Sequence, residues 1–370
     1  MTPPIRVLFC IESMLRGGTE KQLASLIRGF DPARVTPSLC TLKPSAFDLD
    51  SLGCPILELG FTSFRAASTV RCLRRLRRFI REQRVDLVET FFQDPTILAL
   101  LGSVGTQVRA RVASFRDLGF WRTRAKILQL RLAYPHFDGF IANSRAVAAR
   151  AHTLHGIALE RIEVIYNGVV VPPPRPDRSP QQPPVVGVVA NLDRSVKRVD
   201  LFLSAASLVR REVPDARFVV LGDGPLRPQL MSLAGRLELG SSVSFPGNVP
   251  DVARHLASFD VGVLCSDSEG FSNSILEYMA AGVATVARDV GGNAELVVDG
   301  ETGRLIAGGR PDAIATAIIG LLHDPAERCR MGERARELAR ARYSLETCVQ
   351  RHEKYYERML AGLSGPPIPR

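Results

Sequence analysis

The stretch "EGFSNSILEYMAAG", residues 269 to 282, is the most informative part of this sequence for predicting its fold. It places Glu269 before a small polar turn and Glu277 eight positions later, inside an apolar segment typical of a helix. Ser274 and Glu277 have the spacing of a capping box, in which the two side chains only start a helix. The alternative is that both glutamates belong to a binding site, and the sequence around them must decide.

Outward from this stretch, short apolar runs alternate with amphipathic segments, which predicts a parallel sheet wound with helices. In the second half the runs are "VVGVVAN" (185–191), "ARFVVLGDG" (216–224), "VSFPGNV" (243–249), "FDVGVLCS" (259–266) and "VATVARDVGG" (283–292). In the first half they are "IRVLFCI" (5–11), "VDLVET" (85–90), "ARVASF" (110–115), "FDGFIAN" (137–143) and "IEVIYNG" (162–168). We therefore predict an α/β protein with two Rossmann-like, doubly wound domains facing a cleft and with helices closing the chain.

A proline-rich segment separates the two halves. "VPPPRPDRSPQQPP", residues 171 to 184, contains seven prolines and cannot continue a helix or a central strand. We predict an N-terminal domain over 1–171, a linker over 172–184 and a C-terminal domain over 185–345. Residues 346–370 should form a C-terminal helix that packs back toward the N-terminal domain, followed by a tail.

Length and composition limit the class of protein. The chain has 370 residues, of which 45% are apolar and 23% charged, as in a globular protein of two domains. Its seven cysteines are odd in number and form no Cys-x-x-Cys pair, which argues against a zinc site and for reduced thiols. The sequence contains no recognisable signal peptide and no apolar run of about 18 residues. These features favour a cytoplasmic protein.

The positive charge is concentrated in the first half. Residues 1–171 contain 24 Lys and Arg against 14 Asp and Glu, so this half carries the whole net charge of +10. At helical spacing, "TVRCLRRLRRFIREQR" puts Leu73, Leu76 and Ile80 on one face. Beside it runs a stripe of five arginines: Arg71, Arg74, Arg75, Arg78 and Arg81. Two interpretations of this stripe stay open, a solvated helix face and a surface for anionic lipid headgroups.

Trp121 lies in a second basic segment, "GFWRTRAKILQLRLAY" (119–134), and fits either an interfacial anchor or a core residue.

Three loops carry residues suited to an anionic ligand, which open α/β sheets bind past the carboxyl ends of their strands. "ANLDRSVKR" supplies Arg194 and Lys197, two fixed charges of the kind that a diphosphate needs. The turn Gly222-Asp223-Gly224 lets a ligand or a neighbouring loop approach the backbone. Gly17-Gly18 stands before a helix and predicts an anion cradle at its N-terminus.

Taken together, these elements resemble the family 4 glycosyltransferases, which have the GT-B fold. The most specific element is a Glu-x7-Glu pair, here Glu269 and Glu277. Supporting segments are "GGTEKQL", "VIYNGV", "VANLDRSVKRVDLFLSAASLV" and "GDGPLRPQL", so that the resemblance covers nearly the whole chain. It implies a retaining enzyme that moves a hexosyl or N-acetylhexosaminyl unit from a nucleoside diphosphate sugar. A UDP-sugar is the favoured donor, and GDP-mannose is the next choice. The acceptor would be a glycan or a lipid-linked molecule in cell-surface polysaccharide or glycolipid synthesis.

The resemblance also implies roles for individual residues. Glu269, Lys197 and Arg194 would be catalytic, with the two cations holding the diphosphate in place of a metal ion. Glu277 would accept hydrogen bonds from the ribose hydroxyls. Further donor contacts would come from Gly270, Phe271, Ser272, Asn273, Gly17, Gly18, Gly222, Asp223 and Gly224. The first domain would bind the acceptor at the cytosolic face of a membrane, and neither a metal nor a cofactor is expected.

Two positions depart from the family pattern. A Gly-Arg pair that follows the first strand of the second domain in many members is replaced by Ala190-Asn191, so Arg194 is expected to substitute from within the loop. A histidine of the first domain is replaced by Arg116-Asp117 in "VASFRDLGF". Arg116 then either contacts the donor or an anionic acceptor, or forms an ion pair with Asp117.

Three other functions are alternatives to glycosyl transfer. An epimerase on the same fold would act on a sugar nucleotide without an acceptor. A nucleic-acid-binding protein is suggested by the isoelectric point near 9.6, but the chain has no recognisable nucleic-acid module, so no nucleic-acid partner is expected. A non-catalytic carbohydrate-binding relative is disfavoured because Glu269, Lys197 and Glu277 are all present.

Overall fold

The computed structural model describes residues 3–15, 17–119, 123–174 and 182–362. Trp121, the middle of the proline-rich segment and the C-terminal tail lie outside these ranges. The chain forms two compact units, which we call unit 1 (Met1–Gly168 with Leu345–Arg370) and unit 2 (Val169–Ser344). Each unit contains one parallel sheet covered by helices, which confirms the predicted fold class.

Unit 1 has a seven-stranded parallel sheet in the order β3-β2-β1-β4-β5-β6-β7. The strands are β1 Ile5–Ile11, β2 Val35–Thr41, β3 Ile56–Glu58, β4 Leu87–Phe91, β5 Ala110–Phe115, β6 Gly139–Ala142 and β7 Ile162–Val164. The helices are α1 Gly18–Gly29, α2 Ser68–Glu82, α3 Gln93–Ser103, α4 Arg124–Ala133, α5 Arg145–His155 and, at the end of the chain, α13 Leu345–Gly362.

Unit 2 has a six-stranded parallel sheet in the order β10-β9-β8-β11-β12-β13. The strands are β8 Val185–Val189, β9 Arg217–Leu221, β10 Val243–Gly247, β11 Val261–Leu264, β12 Ala284–Arg288 and β13 Gly303–Ile306. The helices are α6 Val199–Glu212, α7 Arg227–Arg236, α8 Val252–Leu256, α9 Asn273–Ala280, α10 Asn293–Leu296, α11 Pro311–His323 and α12 Pro325–Arg342.

Apolar layers on both faces of each sheet explain why the predicted strands are continuous apolar runs. In unit 1, one face of the sheet packs on α1 and α13, and the other packs on α2 to α5. In unit 2, Phe202 and Phe218 lie in the main core, between α6 and the sheet.

Both sheets reverse their strand order next to the first strand. β1 lies between β2 and β4, and β8 lies between β9 and β11. In parallel α/β sheets, such a reversal opens a crevice at the carboxyl ends of the two central strands, and ligands bind there. The loops after β1 and β4, and those after β8 and β11, are therefore the first places to look for a functional site.

Candidate active site

The switch point of unit 2 joins Lys197 to Glu269. Lys197 belongs to a 3₁₀ turn, Ser195–Lys197, in the loop after β8, and Glu269 follows β11. The Lys197 Nζ donates to Glu269 Oε1 at 2.7 Å, with 27% of the lysine side chain and 9% of the glutamate side chain exposed. The two loops are also tied by a backbone hydrogen bond from Asp267 N–H to the Val196 carbonyl at 2.9 Å. Two residues far apart in the sequence thus meet where the topology predicts a ligand.

Helix α9 begins at a different serine from the one expected. Ser272 is the N-cap residue, and its side chain accepts from Ile275 N–H at 3.3 Å. Ser274 Oγ instead donates to the Val189 carbonyl at 2.8 Å. The capping-box alternative for Ser274 and Glu277 is therefore wrong, because Glu277 lies two residues beyond the third helical position from which such a side chain reaches back. Capping does not explain the presence of Glu277.

The residues between the two glutamates are enclosed. Gly270, Phe271 and Ser272 are buried, while Asn273 and Glu277 are half-buried. The Phe271 ring contacts that of Tyr343 edge-on, with 5.6 Å between the ring centroids. This packing holds the start of α9, and with it the segment that leads from Glu269 to Glu277.

The glycine turn after β9 supports the loop after β8. Gly222 and Gly224 have φ angles of +130° and +154°, which favour glycine. A β-carbon on Gly222 would lie 1.9 Å from the Ala190 carbonyl oxygen, and one on Gly224 would lie 2.4 Å from the Leu192 carbonyl carbon. The sequence left open whether a ligand or a neighbouring loop approaches this turn, and the structure places the loop after β8 against it.

Arg194 stands at the exposed end of that same loop. Its side chain has no hydrogen-bond or ion-pair partner among the described residues, and its backbone is extended. Asn191, at the position of the family arginine, accepts from Asp193 N–H with its side-chain oxygen at 3.3 Å and so shapes the turn. Arg194 is thus a cation available to a ligand, three residues before Lys197.

In unit 1, the Gly17-Gly18 loop begins helix α1, and its N-terminus already has a carboxylate nearby. A β-carbon on Gly17 would come within 2.2 Å of Glu20 Oε2, so the Glu20 side chain lies against the first turn. A carboxylate is stabilised there by the helix dipole. A ligand anion at this helix would have to replace Glu20.

Arg116 is part of a buried network and not of an exposed loop. Only 7% of its side chain is exposed, and its Nη2 lies 3.7 Å from Glu89 Oε1. Its Nη1 donates to Asn167 Oδ1 at 3.2 Å, and its guanidinium lies over the Phe91 ring. Asp117, the partner expected from the sequence, accepts instead from Gly119 N–H at 2.7 Å. We correct the prediction accordingly, since Arg116 pairs with Glu89.

Glu89 is the centre of that network. Its carboxylate is fully buried and accepts from Ser114 Oγ at 2.5 Å and from Tyr356 Oη, in α13, at 2.6 Å. Burial and then the Glu89 charge raise the pKa of Tyr356 well above its ordinary value, so the phenol stays a donor. The network therefore attaches the C-terminal helix to the strands of unit 1.

Sequence reasoning missed a charged cluster at the switch point of unit 1. Glu12 follows β1 and forms an ion pair with Lys43, which follows β2. Asp94, in the first turn of α3 after β4, has a pKa raised by burial and by Glu12 and lowered less by Lys126 and Lys43. The apolar runs of β1 and β4 could have pointed to Glu12 and Asp94, which follow them. Lys43 could not be placed in this way, because the strand before it, β2, was not predicted.

The arginine stripe lies on α2, but the buried face of this helix is not the predicted set of Leu73, Leu76 and Ile80. Thr69, Cys72, Leu76 and Ile80 are buried, whereas Leu73 is half-buried. Arg75 donates to the Glu58 and Leu59 carbonyls, and Arg81 donates to the Gly105 carbonyl. The exposed side chains of the other three stripe residues have no partner in the described part of the chain: Arg71, Arg74 and Arg78.

Metal-binding clusters and membrane-spanning helices are both absent from the described residues. Those residues include no group of three or more His, Cys, Asp or Glu side chains placed to hold a metal ion. None of their helices combines the length and apolar character that a membrane crossing requires.

Comparison with known proteins agrees with this geometry in both halves of the chain. The profile of "Glycosyltransferase Family 4" matches residues 16–171, and that of "Glycosyl transferases group 1" matches residues 183–324. A crystal structure of Anabaena Alr3699/HepE with UDP and glucose superposes with a TM-score of 0.84 at 21% identity, over 96% of this chain and 100% of that one. The chain therefore has the GT-B fold and belongs to the group 1, family 4 glycosyltransferases.

Curated relatives match over shorter stretches. N-acetyl-alpha-D-glucosaminyl L-malate synthase of Bacillus anthracis is 36% identical over 163 residues, which is 44% of this chain and 42% of that protein. A GDP-mannose-dependent alpha-(1-6)-phosphatidylinositol monomannoside mannosyltransferase of Mycolicibacterium smegmatis is 36% identical over 163 residues, 41% of this chain and 43% of that protein. The matches thus span less than half the length of these two relatives.

Proposed function

We propose that this chain is a retaining glycosyltransferase that moves a hexosyl or N-acetylhexosaminyl unit from a nucleoside diphosphate sugar to a glycan or lipid-linked acceptor. The observation that carries the proposal is the Lys197–Glu269 ion pair at the switch point of unit 2, with exposed Arg194 in the same loop. A sugar nucleotide that loses its sugar leaves a diphosphate with additional negative charge, and fixed cations stabilise that charge.

In this proposal each residue acts on a different part of the donor. Lys197 and Arg194 hold the diphosphate, and Glu269 bonds a ring hydroxyl of the sugar beside the developing positive charge. Glu277 accepts from the ribose hydroxyls, and the backbone N–H groups at the start of α9 contact sugar and phosphate. Gly17, Gly18, Gly222, Asp223 and Gly224 shape the loops around the phosphates.

The reaction that we propose takes place on one face of the sugar. The bond from the anomeric carbon to the diphosphate oxygen breaks, and the acceptor oxygen bonds to the same face of that carbon. The acceptor proton passes to the leaving phosphate, so no separate side-chain base is required. Because lysine and arginine supply the compensating charge, transfer should continue at an unchanged rate in excess EDTA, and a loss that Mg²⁺ or Mn²⁺ restores would contradict this part of the proposal.

For the donor, a UDP-sugar is favoured and GDP-mannose is the second choice. The Anabaena protein was solved with UDP and glucose, and the Mycolicibacterium relative is named as GDP-mannose-dependent. For the acceptor, we propose unit 1 as the binding side, because its switch point carries Glu12, Lys43 and Asp94, three polar side chains suited to sugar hydroxyls. Asp94→Asn should then raise the acceptor KM and leave the donor KM unchanged.

We also propose that α2 attaches the protein to the cytosolic face of a membrane. Arg71, Arg74 and Arg78 are exposed cations without partners among the described residues, and Val70 beside them is 54% exposed. Sedimentation with vesicles containing anionic phosphatidylglycerol should require the anionic lipid, weaken with salt and decrease in an Arg71→Gln, Arg74→Gln, Arg78→Gln variant. If sedimentation does not depend on anionic lipid, on salt or on these arginines, the stripe is a solvated helix face.

The experiment that tests the donor site is thermal unfolding with a panel of UDP-, GDP-, ADP- and TDP-sugars. A ligand at a hundred times its Kd should stabilise the protein by about 2.7 kcal/mol. Glu277→Ala and Lys197→Ala should lose most of this gain, whereas Lys354→Ala, which removes an exposed lysine of α13, should keep it. A panel in which no sugar nucleotide stabilises the wild type would refute the donor site, and conversion of the donor to an epimer without acceptor would favour the epimerase.

A further inference from the structure

The loops after β8 and β11 are joined by more than the Lys197–Glu269 ion pair. Arg198, the next residue after Lys197, places its Nη1 at 3.3 Å from Asp267 Oδ1 and 3.4 Å from Asp267 Oδ2. Asp267 N–H donates to the Val196 carbonyl at 2.9 Å. Residues 196 to 198 thus contact residues 267 to 269 at three points, and Asp267 precedes Glu269 by two residues in that segment.

Arg288 holds the same aspartate from the other side. It is the last residue of β12, and 12% of its side chain is exposed. Its Nη1 donates to the Asp267 carboxylate and to the Cys265 and Ser266 carbonyls at 3.0 and 3.2 Å, and its Nε donates to the Gly308 carbonyl at 2.6 Å. One guanidinium therefore fixes the backbone on which Asp267 and Glu269 are carried, a geometry that a lysine cannot reproduce.

Asp267 remains ionised in this environment. Burial raises its pKa, but the hydrogen bond from Arg288 and the charge of Arg198 outweigh burial and hold the pKa below its ordinary value. Arg198 in turn bonds Asp200 at 3.1 Å, at the start of α6. Charges of alternating sign thus run from the end of β12 to the start of α6, past the Lys197–Glu269 pair.

We propose that Asp267, held between Arg198 and Arg288, is a positioning residue that keeps Glu269 against Lys197 in the ligand-free protein and keeps their two loops in place when the pair separates. The second part rests on the proposed function, in which the donor diphosphate takes Lys197 from Glu269. The two loops then remain joined through Asp267, so that Glu269 stays where the sugar binds. Asp267 itself touches no reacting atom in this proposal.

The test uses the reactivity of Lys197 and needs no sugar nucleotide. The chain has five lysines, Lys21, Lys43, Lys126, Lys197 and Lys354, and mass spectrometry resolves the acetylation rate of each with acetic anhydride. In Asp267→Asn and in Arg288→Lys, Lys197 should react about three- to tenfold faster, because loss of an ion pair worth about 1 kcal/mol frees its amine. Glu269→Gln gives the rate of a fully released Lys197 for comparison.

Matched controls separate positioning from general loss of structure. Arg304→Lys disturbs another ion pair of unit 2, with Glu327 at 2.8 Å, and should leave the Lys197 rate unchanged. Lys43, paired with Glu12 in unit 1, serves as the internal reference within each sample. If Asp267→Asn does not fold, Arg288→Lys and Arg198→Lys carry the test. An unchanged Lys197 rate in the folded variants would overturn the proposal.

Kinetics then separate this proposal from the proposed function. With the donor that the stability panel selects, Asp267→Asn and Arg288→Lys should lower kcat about tenfold or more and change the affinity for the free nucleoside diphosphate less than twofold. If Asp267 had only a structural role, the variants would lose thermal stability, and kcat would not fall more than the affinity for the nucleoside diphosphate. If wild type binds no sugar nucleotide while Lys197 reactivity still rises in the variants, the proposed function fails and the positioning role of Asp267 stands.

Discussion

Each unit contains an ion pair that joins neighbouring parts of its sheet, and the two pairs differ in how deeply their cations are buried. At the switch point of unit 2, Lys197 is paired with Glu269, and 27% of the lysine side chain but only 9% of the glutamate side chain is exposed. In unit 1, Glu89 in β4 and Arg116 after β5 are paired below the surface, where 0% and 7% of their side chains are exposed. An arginine or lysine after a parallel strand is therefore not by itself a ligand site.

Burial explains why only one of these pairs can exchange partners. Removing one member of a buried pair leaves an uncompensated charge and costs about 3–5 kcal/mol. In the Lys197–Glu269 pair the glutamate is buried, but 27% of the lysine side chain is exposed, so water still solvates the lysine ammonium when it changes partner. In the proposed function a diphosphate takes Lys197 from Glu269, and we expect Arg116 to stay paired with Glu89 because both members of that pair are buried.

The largest expected effect concerns the buried pair. Arg116→Ala should lower the free energy of unfolding by about 3–5 kcal/mol, because Glu89 remains buried without its cation. Lys197→Ala should lower it by a smaller amount, because the partly exposed lysine leaves a space through which water reaches Glu269. Urea unfolding followed by circular dichroism measures both, and Arg116→Met with Glu89→Gln should recover much of the first loss. Equal losses for Arg116→Ala and Lys197→Ala would remove the distinction between the two units.

The second effect is on catalysis and is confined to unit 2. Lys197→Ala should reduce kcat by about 10²–10³-fold, the usual effect of removing one stabilising donor from a developing anion. Lys354→Ala, at an exposed position of α13, should retain the wild-type rate. Turnover with the selected donor checks this prediction, and a Lys197→Ala variant with near-normal kcat would mean that Lys197 is outside the reaction site.

The third effect is a dependence of stability on pH that arises in unit 1. His352 is buried in α13, its Nδ1–H donates to the Cys348 carbonyl at 2.9 Å, and burial lowers its pKa from 6.5 to about 4. The unfolded chain binds this proton near pH 6.5 and the folded chain only near pH 4. His352 therefore stabilises the folded protein fully above pH 6.5. As the pH falls from 6.5 to about 4, this stabilisation of roughly 3 kcal/mol is lost.

Urea unfolding between pH 4.5 and 7 measures this dependence. His352→Gln should flatten the slope of stability against pH in this range, whereas His323→Gln, at an exposed position of unit 2, should not. An identical slope in wild type and His352→Gln would show that His352 does not titrate differently in the folded protein.

The smallest effect distinguishes Ser272 from Glu277 in helix α9. Ser272→Ala should cost about 1 kcal/mol of unfolding free energy, because it removes the cap. Glu277→Gln should leave the unfolding free energy within about 0.5 kcal/mol of wild type, since Glu277 is not part of a capping box. A loss in Glu277→Gln as large as that in Ser272→Ala would restore the capping interpretation and weaken the proposed ribose contact.

Most strands were predictable because apolar runs buried on both faces leave a clear pattern. β8 and β12 are examples, with "VVGVV" and "ATVAR". β2 was missed because it contains Pro37, which is unusual in an inner strand. The structure explains why it is tolerated there, since β3 pairs only with Leu39 to Thr41 and begins beyond Pro37.

The sequence indicated candidate residues through motif spacing and resemblance, but it did not indicate which side chains pair across neighbouring strands. Lys197, Glu269 and Glu277 were proposed in this way, and the contact between Lys197 and Glu269 was not. Glu89 was not proposed either, because its pairing with Arg116 depends on β4 and β5 lying side by side, while the sequence offers Asp117 as the nearer carboxylate. Arg288 left only a weak signal, an arginine at the end of an apolar strand.

The most direct test of the account is a crystal structure of the chain with the nucleoside diphosphate that the stability panel selects, UDP first. We expect diphosphate oxygens within about 3 Å of Lys197 Nζ, the ribose hydroxyls on the Glu277 carboxylate, and Arg116 still paired with Glu89. A nucleotide bound elsewhere, with Lys197 still on Glu269, would contradict the assignment of the donor site.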